Sequence, residues 1–271
     1  MPTGEFKFEP QHALCQNEAD ALPQYGSAYL CTNEPLDKYQ SMMPIKGNCI
    51  LTVAASGDQP LMFAANDAVH IDTFDLTYNA RVIMDFKTAA IQVLSHDDYA
   101  DCLHELNTTD AIKPSKFHHV LARMSAPQRA VMRNIMQFRP TAFLKQLLAI
   151  FPSNEQTYQH LQQTVPTHFN FIWADLFNLH HYLTSQYDVI YLSNIFDHYI
   201  WNGRQTTDID TTVKNLWSYL RKDGYMFCTT TFPDPRTVAQ TCEEFLMTNA
   251  DVHMPYVKSN LFSPIIIHKE R

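Results

Sequence analysis

The sequence predicts an α/β fold: a Rossmann-like, seven-stranded, mostly parallel sheet with a helical insertion. Three observations carry that prediction. Short β-branched or aromatic runs alternate with segments of helical period. Residues 50–75, ILTVAASGDQPLMFAANDAVHIDTFD, read as an opening strand–turn–helix–strand unit. Two runs near the end, joined by a short proline-broken connection, read as an antiparallel pair at a sheet edge.

Each element has its own signal. Residues 1–45 are irregular, with prolines at 2, 10, 23, 35 and 44, and Pro35 suits the first turn of a short helix. The first strand is predicted over 48–54. It runs into the small-residue turn Ala55-Ser56-Gly57-Asp58, and a helix starts near Gln59-Pro60. The second strand, 69–75, stops on Asp75. A long helix over 78–94 places Val82, Phe86, Ala89, Ala90 and Val93 on one face, with no glycine or proline inside. Asp97-Asp98 can open a further short helix.

Residues 104–166 break the strand–helix rhythm. Ser125 can cap a helix with Pro127 in its first turn, ending before Pro140. Thr141 can cap a second, and Ser153-Asn154-Glu155-Gln156 forms a capping box for a third. The insertion is large enough to cover an active site. Strands resume at 170–174, ending on Asp175, and at 187–192, ending in Ser193-Asn194-Ile195-Phe196-Asp197-His198. Asp208 can cap a helix through Lys222 closed by Gly224. Strands over 225–232, 250–257 and 262–268 complete the set. The division expected is an N-terminal lid segment (1–47), a nucleotide-binding sheet (48–103 with 167–271) and the helical insertion (104–166).

Composition narrows the function classes. With 271 residues and 45% hydrophobic content, a sizeable core is expected. No apolar run approaches the ~18 residues of a membrane helix. The start, MPTGEFKFEP, lacks a signal pattern, and the six scattered cysteines read as reduced thiols; a cytoplasmic protein is expected. Net charge is −8, which argues against general nucleic-acid binding. Residues 104–166 nonetheless carry seven basic against three acidic residues. That stretch is a solvated helical surface or a patch for an anionic group. The thirteen histidines include adjacent pairs at 118–119 and 180–181, whose side chains diverge in regular structure, so no metal site is expected.

The turn at 55–58 sets the ligand class. Gly57 permits close backbone approach, and Asp75, 18 residues on, can accept ribose hydroxyls. A dinucleotide fingerprint would have three glycines where this turn has one. A nucleoside ligand without phosphates is therefore expected, S-adenosylmethionine (SAM) being the commonest. Ala55, Ser56, Gly57, Asp58, Asp75, Leu76, Asp175, Ser193 and Asn194 all fall at strand ends on one sheet edge. Asp58 can hold an ammonium or cap the next helix, and Asp175 can meet an adenine amino group or sit as a loop aspartate. Asp197 and His198 are candidates for a catalytic base or acceptor binder, or they simply start a helix.

Ser56-Gly57-Asp58, Asp75-Leu76, Lys87-Thr88-Ala89-Ala90-Ile91, the segment from Leu94 to Tyr99 and the upstream Thr32-Asn33-Glu34-Pro35-Leu36 together resemble the betaine-lipid synthases of the diacylglyceryl 3-amino-3-carboxypropyl transferase type and their shorter bacterial relatives. The likeness covers roughly 29–103, with Thr77 where that family usually has Asn. It implies a SAM-binding fold of the class I methyltransferase kind, with Tyr29, Asn33 and Glu34 folding over the cofactor. The function expected is transfer of an aminocarboxypropyl or methyl group from SAM to a small-molecule or lipid-headgroup acceptor, anionic if the basic stretch meets it. The rival reading is a non-catalytic SAM-binding or scaffold protein.

Overall fold

The computed structural model describes residues 30–108, 114–137, 150–166, 169–201, 206–231, 251–253 and 263–269. A short helix α1 (Leu36–Tyr39), with Pro35 at its N-cap, leads into a 3-10 turn. Strand β1 (Cys49–Val53), helix α2 (Asp58–Ala65) and strand β2 (His70–Asp75) form the predicted opening unit. Helices α3 (Tyr78–Val93), α4 (His96–Thr108), α5 (Pro114–Leu121), α6 (Ala126–Gln137) and α7 (Glu155–Thr164) follow. Then come β3 (Asn170–Trp173), β4 (Tyr187–Ser193), α8 (Ile195–Trp201), α9 (Thr206–Trp217), β5 (Leu220–Thr230), β6 (Asp251–His253) and β7 (Ser263–His268).

The seven strands form one sheet in the order β3-β2-β1-β4-β5-β7-β6. Strands β1 to β5 pair in parallel, while β7 runs antiparallel to both β5 and β6. This is a Rossmann-like, mostly parallel sheet with one reversed strand, β7. The chain winds outward from β1 to β3, then returns to start β4 on the other side of β1. That reversal opens a crevice outside the carboxyl ends of β1 and β4.

Both faces of the sheet are covered, so the central strands β1 and β4 are buried along nearly their whole length instead of at alternate positions. Ile50, Val189, Tyr191 and Phe227 pack with α2 and α3 on one face; Leu51, Phe74, Ile190, Leu192 and Met226 pack with α9 on the other. The insertion belongs to the first layer. Phe117 meets Phe86 with ring centroids 5.7 Å apart, and Val120, Met132, Ile135, Tyr158 and Leu161 join the same core. It thus adds to the sheet's helical cover.

Several local expectations change. The cap of α7 is Asn154, whose side chain accepts from Thr157 N. Gly224 does not close a helix: α9 ends at Trp217, and Gly224 lies in β5. A Cβ there would meet Arg221 O at 2.9 Å and Asp188 O at 3.0 Å, which is why glycine stands in this strand. His180 and His181 do not diverge; in a 3-10 turn their rings sit 3.8 Å apart. The helix expected after Thr141 falls outside the described residues.

Candidate functional site

Two central strands end in strained residues. Ala55, just past β1, has φ +44°, and Ser193, the last residue of β4, has φ +54°. Neither residue type favours the left-handed region, and such strain collects at functional sites. The two positions flank the crevice where the strand order reverses.

Asp75 closes β2 beside the first of them. Its Oδ2 accepts from Ala55 N at 3.0 Å and its Oδ1 from Thr77 N at 2.9 Å. With the Leu76 N–H also directed at the carboxylate, three of its roughly four acceptor sites are used and one remains for a further donor. Burial pushes the carboxyl up to about 6, against the opposing pull of the Thr77, Ala55 and Leu76 N–H groups. Thr77 caps α3 by accepting from Asn79 N, so the helix start is settled without consuming Asp75. Leu76 is 43% exposed, a rare large apolar side chain at the surface. Its carbonyl accepts from Trp173 Nε1 at 2.8 Å, and Tyr78 packs on that indole with centroids 5.4 Å apart. An acceptor for hydroxyls thus stands beside an apolar and aromatic shelf, as a nucleoside requires.

The turn at 55–58 faces inward more than the sequence implied. Ser56 Oγ donates to Asp58 Oδ2 at 2.9 Å. Asp58 is fully buried, forms an ion pair with the equally buried Lys87 at 2.5 Å, and accepts from Thr32 N at 2.7 Å. Its carboxylate is therefore committed to the fold, not held out for a ligand ammonium. Gly57 (φ +82°) is required for two reasons: its left-handed backbone, and a Cβ that would lie 2.9 Å from Met84 Cα. The close approach it permits is to helix α3.

The segment around Thr32 and Glu34 lies over the ends of β4 and β5. Glu34 Oε2 accepts from Ser193 Oγ at 2.8 Å, Tyr191 OH at 3.1 Å and Gln59 Nε2 at 3.1 Å; Oε1 accepts from Thr229 Oγ1 at 2.6 Å. Burial and the Glu34 carboxylate hold the Tyr191 phenol far above its ordinary range, so it stays a donor. Asn33 is exposed, and Tyr29 lies outside the described residues.

Asp197 sits fully buried in α8 and accepts from Thr230 Oγ1 at 2.7 Å, Thr231 N at 2.5 Å and Thr231 Oγ1 at 2.7 Å. Those bonds tie α8 to the end of β5. His198 follows it in α8. Asp175 makes a local turn, accepting from Phe177 N at 3.0 Å. Asn194 Oδ1 lies 3.4 Å from Ser193 Oγ.

The structure thus gathers Ala55, Asp75, Leu76, Ser193, Asn194 and Glu34 at one rim, and turns Ser56, Asp58 and Asp197 into the interior. Sequence reasoning missed Lys87, Gln59, Tyr191 and Thr229. Lys87 had a signal: it lies four residues from Ile83 and Ile91 on the buried side of α3, where a cation requires a partner.

A cavity of about 580 Å3 lies elsewhere, lined by Asp67, Val69, His70, Thr164, Phe169 and Asn170 among others. His70 and Asn170 begin β2 and β3, so the cavity lies at the opposite sheet edge from Asp75.

No family model matches the chain, and no curated protein matches it. The resemblance to betaine-lipid synthases has no support from either. Solved structures do align. A protein of Streptococcus mutans whose name proposes SAM-dependent methyl transfer has 9% identity and a TM-score of 0.48, over 85% of this chain and 47% of that one. Magnesium protoporphyrin IX methyltransferase of Synechocystis PCC 6803, with bound SAM, has 8% identity and a TM-score of 0.45, over 86% and 77%. The N-methyltransferase NodS of Bradyrhizobium japonicum WM9 has 9% identity and a TM-score of 0.42, over 88% and 99%. The fold assignment rests on strand order and direction, not on these scores.

Proposed function

We propose that the chain is a SAM-dependent transferase. The observation that carries this reading is Asp75: a carboxylate at the carboxyl end of β2, bonded across to the turn after β1 and flanked by exposed Leu76. When bound, SAM supplies an electrophilic carbon on its sulfonium. Asp75 would accept the ribose hydroxyls, Leu76 and Trp173 would shelter the adenine, and the strained Ser193–Asn194 corner would face the acceptor. The chain's part is positioning and exclusion of water.

Asp197 is fully buried and takes three hydrogen bonds from Thr230 and Thr231, so its carboxylate ties α8 to the end of β5 instead of standing open to an acceptor. An acceptor that brings its own nucleophile, an amine or a thiolate, suits this rim best. The group moved is aminocarboxypropyl or methyl, and the acceptor a small molecule or lipid headgroup. Products decide between them. Purified protein incubated with SAM and cell extract should release methylthioadenosine if the larger group moves, and S-adenosylhomocysteine if methyl moves. Neither product in any extract would leave the non-catalytic reading standing.

A further inference from the structure

Among the described residues Glu34, like Asp197, is a buried carboxylate held by neutral donors alone. It is 2% exposed and takes four hydrogen bonds, from Gln59, Tyr191, Ser193 and Thr229. All four donors are neutral. Among the described residues it makes no ion pair, and the buried cation beneath the same segment, Lys87, is taken by Asp58. Buried charges are ordinarily paired.

The missing positive charge has a natural source in the ligand. Adjacent strands lie about 4.8 Å apart. Glu34 is held at β4 and β5, while Asp75 ends β2, with β1 between. The two carboxylates thus stand roughly two to three strand spacings apart, about 10–14 Å. A nucleoside anchored by its ribose at Asp75 would extend its far end towards Glu34. In SAM that end carries an α-ammonium.

We infer that Glu34 is the counter-charge for the α-ammonium of the cofactor's amino-acid end; this rests on the SAM reading above. An ammonium fits better than the sulfonium because it donates hydrogen bonds. Three donors crowd Oε2, whereas Oε1 carries one and retains a lone pair. The Ser193 and Thr229 hydroxyls can yield by rotating one torsion.

Calorimetric titration with three adenosine ligands tests this. SAM and S-adenosylhomocysteine carry the ammonium; methylthioadenosine does not. Glu34→Gln should weaken the first two at least tenfold and leave methylthioadenosine within twofold. Equal weakening of all three would reduce Glu34 to a structural role. Loss confined to SAM would assign it to the sulfonium. Either result overturns the inference, as does no change. A measurement on the unaltered protein guards against a variant that fails to fold. It should bind S-adenosylhomocysteine at least tenfold tighter than the desamino counterpart, which keeps the carboxylate; equal affinity overturns the inference. If the unaltered protein binds none of the adenosine ligands, the SAM reading itself fails, a distinct outcome.

Discussion

The two edges of the sheet handle charge in opposite ways. At the amino edge most charged groups are at least partly exposed and paired with one another, and the one buried carboxylate described there, Asp72, is met by the half-exposed His70 at 2.9 Å. Lys46 (84% exposed) and His160 (41%) both reach Asp67, and Arg221 reaches Asp188. The left-handed non-glycine residues there are Asp67 and Asp223, a type that tolerates the conformation. At the carboxyl edge the charges are buried. Asp58 is matched by Lys87, whereas Glu34 has only neutral donors. The left-handed non-glycine residues there are Ala55 and Ser193, which tolerate it poorly. The open cavity belongs to the first edge, the strained Ala55 and Ser193 and the fully buried ion pair of Asp58 and Lys87 to the second. A cavity marks where chain elements part; buried charge and strain mark where the fold is held against its own preferences.

Substitutions sharpen this contrast. Lys87→Met strands Asp58 without its cation in a dry site and should cost about 3–5 kcal/mol of folding stability, read by denaturant unfolding. Lys46→Ala, at the other edge, should leave the midpoint unchanged within error; comparable losses at the two edges would erase the distinction. Gly57→Ala forces a methyl towards Met84 and strains a φ of +82°, so a loss of about 1–3 kcal/mol is expected. A neutral effect would mean that α3 can back away. Thr77→Ala removes the cap of α3 and should cost about 1 kcal/mol.

The smallest effect is a pH dependence. The Asp75 carboxyl titrates at about 6 in the folded chain, raised from 3.8. A raised acid favours the protonated form, so its contribution to stability is greatest at low pH and is lost as pH climbs through about 6. Ligand hydroxyls favour the carboxylate, so nucleoside affinity runs the other way. It should rise with pH up to about 6 and then level off. A profile flat from pH 5 to 8 would remove Asp75 from the binding step.

Legibility in the sequence follows the same division. Strand ends are local, so Asp75, Ser193 and the turn at 55–58 could be placed from apolar runs that stop at a polar residue. The terminal antiparallel pair was legible for the same reason. What each side chain meets is not local. Thr229 reaches Glu34 across 195 positions, and Lys87 reaches Asp58 across 29. No period or spacing encodes such pairs. Gly57 shows the limit most plainly: its need for a small residue was visible, but the neighbour imposing it, Met84, comes from a helix that only tertiary packing brings near.

The central claim is that a nucleoside is anchored at the carboxyl end of β2. Titrating purified wild-type protein and Asp75→Ala with SAM in a calorimeter tests it directly. Saturable binding by the wild type, weakened at least about tenfold, or about 1.4 kcal/mol, in the variant is the predicted result. Absence of binding, or equal affinity in both proteins, would contradict it.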